Sequence, residues 1–118
     1  MRSDPDRLSD ILAAIAKIRG RVGADRAAFA QDEMLQVWVI HHLQVIGEAA
    51  RGVSEHVRTR HPEVPWPQIV ALRNILVHEY FGLDMRQVWT MTQKDLQILE
   101  EQISRIGSEL TSGSELGT

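Results

Sequence analysis

Apolar residues recur along most of this chain with the period of a helix, not a strand. Leu8, Ile11, Leu12, Ile15 and Ile18 follow the i, i+3, i+4, i+7 rule and predict an amphipathic first helix. Ser3 or Asp4 ahead of Pro5 marks its start, and Gly20 and Gly23 mark its end. A second pattern runs from about Asp32 to Arg60 through Leu35, Val39, Ile40, Leu43, Ile46, Ala50, Val53 and Val57, and predicts one long helix. Gly47 and Gly52 fall inside it, although glycine costs about 1 kcal/mol relative to alanine in a helix interior. Close packing against a neighbouring helix, or a bend, would account for them.

The stretch "HPEVPWP" (61–67) cannot continue a helix, because its prolines break the hydrogen-bond ladder. Pro67 is placed to open a third helix carrying Ile69, Leu72, Ile75 and Leu76 and ending between His78 and Gly82. Asp84 caps a fourth, with Val88, Trp89, Leu96, Leu99, Ile103 and Ile106 on its apolar side. No strand-like alternation and no internal repeat competes with this reading. Four main helices with short connections predict an all-α, up-and-down helical bundle. Residues 1–107 form its single domain, and the turn-forming end "TSGSELGT" predicts a flexible tail over 108–118.

Composition narrows the function. A chain of 118 residues suits one core. It has no cysteine, which removes disulfides, a thiolate nucleophile and sulfur-ligated metals. The N-terminus "MRSDPDRLSD" lacks an apolar leader segment and no run reaches the length of a membrane span, so a cytoplasmic protein without a membrane partner is expected. The net charge of −3 lacks the basic footprint of a protein that holds nucleic acid by bulk charge. Only residues 51–83 are net positive, with four arginines against three glutamates, so any polyanion has to meet a local patch.

That segment contains "RNILVHEYFG" (73–82), an apolar turn with strong hydrogen-bonding side chains at both ends. Arg73 offers a charged planar fork that matches phosphate oxygens. His78 can accept and return a proton near neutral pH. Together they suit metal-free phosphodiester cleavage, in which a base deprotonates the RNA 2′-OH and a cation offsets charge on the phosphate. On one continuous helix, however, five residues turn by about 500°, leaving the two side chains about 140° apart. Either the helix ends near His78, freeing its side chain, or the site lies in a groove lined by two copies of the chain. Asn74 shares a face with His78 and can orient it or a ligand. Ile75, Leu76 and Val77 would anchor the turn in the bundle.

Other candidates read as structural. His41, His42, His56 and His61 lack metal-ligand spacing, and adjacent histidines on a helix point about 100° apart, so no metal and no cofactor is expected. Glu48 reads as an exposed helical glutamate ahead of a supporting partner within the bundle. Trp38, Trp66 and Trp89 read as core or interface aromatics, ahead of base stacking by Trp66.

"VPWPQIVALRN", "RNILVHEYFGLD" and "QVWTMTQKDL", in that order, closely resemble the HepT-like family of HEPN-domain ribonucleases, and "VIGEAA" (45–50) matches the stretch that family carries on its second helix. The resemblance extends from about residue 5 to residue 106. It implies an endoribonuclease toxin of a type VII-like system, acting on tRNA or mRNA without a metal, with Arg73 and His78 as the catalytic pair and Asn74 in support. It further implies a homodimer with the paired motifs facing a cleft, and an MNT-type nucleotidyltransferase antitoxin that neutralises the toxin by AMPylation of Tyr80. Arg51, Arg58 and Arg60 are candidates for RNA contact beside Arg73. A catalytically inactive HEPN module that binds a nucleotide or a partner is the alternative.

Overall fold

The computed structural model describes residues 2–78 and 84–116, with side chains described for all of these except 77, 78 and 112–116. Its elements are helices: α1 (Asp4–Arg21), α2 (Arg26–Gln31), α3 (Glu33–Arg51), α4 (Glu55–Arg60), α5 (Trp66–His78), α6 (Met85–Thr90), a π-helical turn over Met91–Asp95, and α7 (Leu96–Leu116). No strand occurs among the described residues.

The helix starts were well marked. Ser3 caps α1 in a reciprocal box with Asp6, and Pro5 lies in the first turn, where a missing N–H costs nothing. Asp25, Asp32, Ser54 and Asp84 each cap the helix that follows by accepting a backbone N–H. Leu8, Ile11, Ala14, Ile15 and Ile18 of α1 are buried against Val39, Leu43, Ile46, Ala49 and Ala50 of α3, and Ile103 and Ile106 of α7 close the core. Each such side chain contributes about 1.5–3 kcal/mol by leaving water. Helix α3 is the central element, with α1 on one side and α5 on the other, and α7 lies against α1.

Three expectations change. The long second helix is broken at Gly52–Ser54 into α3 and α4. The break is held by a distant partner: Asp4, in the first turn of α1, accepts from the Ser54 N–H at 2.8 Å and from its hydroxyl at 2.7 Å. The fourth helix contains the π-helical turn, within which Thr92 is buried and its hydroxyl donates to the Trp89 carbonyl at 2.7 Å. Helix α7 then continues to Leu116, past residue 107 where the domain was expected to end, and Leu110 still packs against the core. Residues 85–116 amount to about 48 Å of helix at 1.5 Å per residue, which accounts for a molecule 52 Å long and 27 by 25 Å across. Helix α2 was not foreseen. It seats Phe29, which is 2% exposed and lies 5.5 Å from the Trp89 ring.

Between α3, α5 and the C-terminal helices runs an apolar groove of about 440 Å³, lined by Leu43, Ile46, Ile69, Leu72, Leu96 and Leu99 among others. It lies on the core side of α5, whereas Arg73 and Asn74 stand on the exposed side.

Candidate active site

The motif sits on α5, and α5 is held against α3 by the absence of a side chain. A β-carbon on Gly47 would stand 3.0 Å from the Ile69 carbonyl oxygen, 3.2 Å from Arg73 Cβ and 3.3 Å from the Arg73 backbone nitrogen. Gly47 is itself buried, so the helix backbones meet closely at the residue that carries the candidate cation. Close packing is the reading of Gly47 that holds.

Glu48, the next residue, faces the same arginine. Its Oε2 lies 3.4 Å from Arg73 Nε, and its Oε1 accepts from an Arg51 terminal nitrogen at 2.7 Å. The exposed glutamate expected at this position is half-exposed and shared by two arginines, with side-chain exposures of 44% for Glu48, 46% for Arg73 and 66% for Arg51. The Arg51 hydrogen bond, assisted by the charges of Arg51, Arg73 and Arg7, holds the Glu48 carboxyl below the usual carboxylate range. Arg73 also donates from a terminal nitrogen to Asn74 Oδ1 at 3.4 Å. Its guanidinium is therefore steered from both sides while remaining open to solvent. Asn74 supports the arginine in this arrangement; its expected contact with His78 falls on a side chain outside those described.

Helix α5 is helical through His78, its last residue. Along a regular helix the five-residue spacing from Arg73 to His78 corresponds to a divergence of about 140°, and the His78 side chain itself lies outside those described. Tyr80 lies outside the described residues. Within the apolar turn, Leu76 is 1% exposed and anchors it, but Ile75 is 44% exposed and does not. Ile69 and Leu76 already fill the inward face of α5, and Ile75, two residues from Arg73 and so about 200° away, falls on the opposite flank of the helix.

Of the other arginines, Arg51 joins the motif through Glu48, while Arg58 and Arg60 lie on α4 and make no ion pair with it among the described residues. Sequence reasoning missed Arg7. A β-carbon on Gly52 would stand 2.6 Å from both Cζ and Nε of Arg7, so the α1 arginine lies directly over that glycine. Glu48 carried a legible signal in its i, i+3 spacing to Arg51. Arg7, far away in sequence, carried none.

His42 and His61 make structural contacts. His42 is 6% exposed, stands edge-on to Trp38 with ring centroids 4.5 Å apart, and has its proton affinity lowered by burial, then by His41 and Lys17. His61 lies between Glu63 (3.2 Å) and Glu109 (3.3 Å). No cluster suited to a metal ion occurs among the described residues. Trp66 is buried, with its indole N–H donating to the His61 carbonyl at 3.0 Å, and it offers no face for a base. No helix among the described residues is long and apolar enough to cross a membrane.

Residues 11–106 match the family described as "Ribonuclease HepT-like". The chain is 34% identical over 109 residues to a protein of Thermococcus cleftensis named as a probable ribonuclease HepT, covering 89% of this chain and 96% of that protein. It is 37% identical over 79 residues to MJ1380 of Methanocaldococcus jannaschii, which carries an RNase name, covering 67% of this chain and 72% of the relative. A third similar protein, TTE0752 of Caldanaerobacter subterraneus subsp. tengcongensis, also carries an RNase name and is 36% identical over 78 residues, 66% of this chain and 70% of that one. No solved structure matches the chain.

Proposed function

This chain belongs to the HepT-like ribonuclease family, and from that premise we propose that it is an endoribonuclease that cuts RNA through Arg73 and His78. The observation that carries this reading is the set of Arg73: an exposed guanidinium whose backbone is seated by Gly47 and whose Nε faces Glu48. A phosphate oxygen pair can meet its terminal nitrogens without the side chain having to be ordered first. His78 takes the proton of the 2′-OH, the 2′-oxygen bonds to phosphorus, and the bond to the 5′-oxygen breaks with a proton returned to the leaving group. Arg73 offsets the charge that builds on the phosphoryl oxygens. No step in this sequence needs a metal.

The test is cleavage of tRNA or mRNA in EDTA by the wild type, Arg73→Ala and His78→Ala. Loss of about 100-fold or more in both variants is expected from removing a general base or an electrostatic contact. Equal activity in all three would identify a contaminant. RNA binding without cutting would make the chain a binding module.

The site is completed by a second copy of the chain. The divergence of Arg73 and His78 along α5 supports this, because two copies can set one chain's arginine beside the other's histidine across a cleft. Mixing Arg73→Ala with His78→Ala then restores cleavage, since the mixed dimer keeps one intact pair; no recovery after subunit exchange would place both residues in one chain. The chain acts as a toxin, and a nucleotidyltransferase of the MNT type silences it by adding AMP to Tyr80. The added phosphate charge and bulk beside a cationic site would exclude RNA. Intact mass after co-expression should show AMP on the wild type and none on Tyr80→Phe; two unmodified chains in the presence of active partner would remove this part.

A further inference from the structure

The C-terminal end of α3 receives an arginine from each of its neighbours. Arg73 of α5 reaches Glu48 across Gly47, and Arg7 of α1 lies over Gly52. Gly52 follows Arg51 directly and stands one helical turn beyond Glu48. Three guanidinium groups are thus gathered around one carboxylate, a local excess of positive charge in a chain of net charge −3. The nearby acids do not cancel it. Asp10 pairs with Arg2, and Asp4, which keeps its charge while accepting from the Ser54 N–H and hydroxyl, still leaves three guanidinium groups against two carboxylates. Arg7 makes no ion pair with any described residue, and its Nε is buried without a hydrogen-bond partner among them. A half-buried guanidinium with an unshared fork, beside two others, is suited to the paired oxygens of a phosphate.

We propose that Arg7, seated by the missing side chain of Gly52, forms with Arg51 a second phosphate subsite beside Arg73, which holds a phosphodiester of single-stranded RNA flanking the one that is cut. The identity of the ligand rests on the ribonuclease reading; the anion seat itself does not. The subsite resolves the conflict between an acidic chain and a polyanionic substrate, since the charge is focused on one end of α3. It also draws on α1, far in sequence from the motif, and leaves the α4 arginines Arg58 and Arg60 outside.

The experiment is fluorescence anisotropy of a labelled 2′-O-methyl RNA, which cannot be cut, titrated at a series of salt concentrations. For a single strand, each lost phosphate contact lowers the slope of log affinity against log salt by about 0.7. Arg7→Ala should show that change, together with a severalfold weaker affinity and, on cleavable RNA, a loss carried mainly by KM. Gly52→Ala should reproduce the loss with every charge retained, because its β-carbon displaces the guanidinium. Arg7→Lys should keep part of the affinity, and Arg26→Ala on α2 should leave the slope unchanged. Wild-type slopes in both Arg7→Ala and Gly52→Ala would overturn the subsite, and should Arg7→Ala fail to fold, Gly52→Ala decides. If the wild type binds RNA through Arg7 but does not cut it, the subsite stands and the cleavage reading falls. If it cuts normally and neither variant alters slope or KM, the reverse holds.

Discussion

Gly47 lies inside α3 and Gly52, five residues on, caps its C-terminal end; each makes room for an arginine, but they do so in opposite ways. At Gly47 the neighbours are backbone: the Ile69 carbonyl oxygen and the Arg73 nitrogen would both fall within 3.3 Å of an added β-carbon. At Gly52 the neighbour is the far end of a flexible side chain, the Arg7 guanidinium at 2.6 Å. The shorter distance is the cheaper one to relieve, because a guanidinium can swing into solvent whereas two helix backbones can separate only by disturbing the core between them. Gly47 therefore fixes a fold contact that happens to carry the candidate arginine, Arg73. Gly52 leaves a space that the Arg7 side chain occupies.

The sharpest way to break this comparison is to fill both sites. Gly47→Val should destabilise the fold by about 2–3 kcal/mol, read as a drop of about 10 °C in Tm, through overpacking. Gly47→Ala should lose about 1 kcal/mol, since its gain in helix propensity offsets part of the strain, and should still lower cleavage about tenfold by shifting Arg73. Gly52→Ala should stay within about 0.5 kcal/mol of the wild type, because Gly52 has φ −83° and ψ −9°, which alanine adopts freely. Equal Tm losses at the two positions would show that the distinction between backbone and side-chain neighbours is empty.

Much of this arrangement was legible in the sequence, and the illegible part has a common physical cause. Helix faces and caps are local, so the apolar period and residues such as Ser3, Asp32 and Asp84 placed the starts of α1, α3 and α6. Both glycines stood out as costs needing a reason. Their partners did not, because the contacts are non-local: Asp4 holding the Ser54 break and Arg7 lying over Gly52 join residues 50 and 45 positions apart. The exposure of Ile75 was missed for a related reason. Its spacing from Ile69 and Leu72 fits an inward stripe, yet α5 is apolar on several sides, and only the crossing at Gly47 decides which side faces α3. Of the candidate pair, the arginine's setting is described, and the convergence with His78 remains the subject of the complementation experiment above.

Glu48 sharpens the comparison at smaller effect, since it stands between the two glycines and touches what each admits. Glu48→Gln keeps the shape and removes the charge that steers Arg73 Nε, so cleavage should fall severalfold with little change in Tm, as expected of half-exposed ion pairs. The pH dependence has a definite sign. The folded-state carboxyl is held below its usual value of 4.5, mainly by the Arg51 hydrogen bond. Its contribution to stability is present above 4.5 and is lost as pH falls through the lower folded value. Melting curves of wild type and Glu48→Gln should accordingly converge in that acidic window. A difference that stays constant across it would assign the effect of the substitution to packing.

The smallest effect tests the middle of α3, where the polar group is buried. His42 has its proton affinity lowered from 6.5 by burial first, then by His41 and Lys17, and its Nε2 is buried without a partner among the described residues. The unfolded chain therefore takes up the proton at a higher pH than the folded one. Stability is full above about 6.5 and declines as pH falls from there toward the folded value, below which the loss is complete. His42→Leu removes both the titration and the unsatisfied nitrogen, while giving up the edge contact with Trp38, worth about 0.5–1.5 kcal/mol. The variant should lie close to the wild type at neutral pH and lose less Tm between pH 6.5 and 5. Parallel losses in the two proteins would mean that His42 ionises in the folded state as readily as in water. Cleavage by His42→Leu at neutral pH should remain at the wild-type level, because the charged end of α3, two to three turns away, does not depend on it.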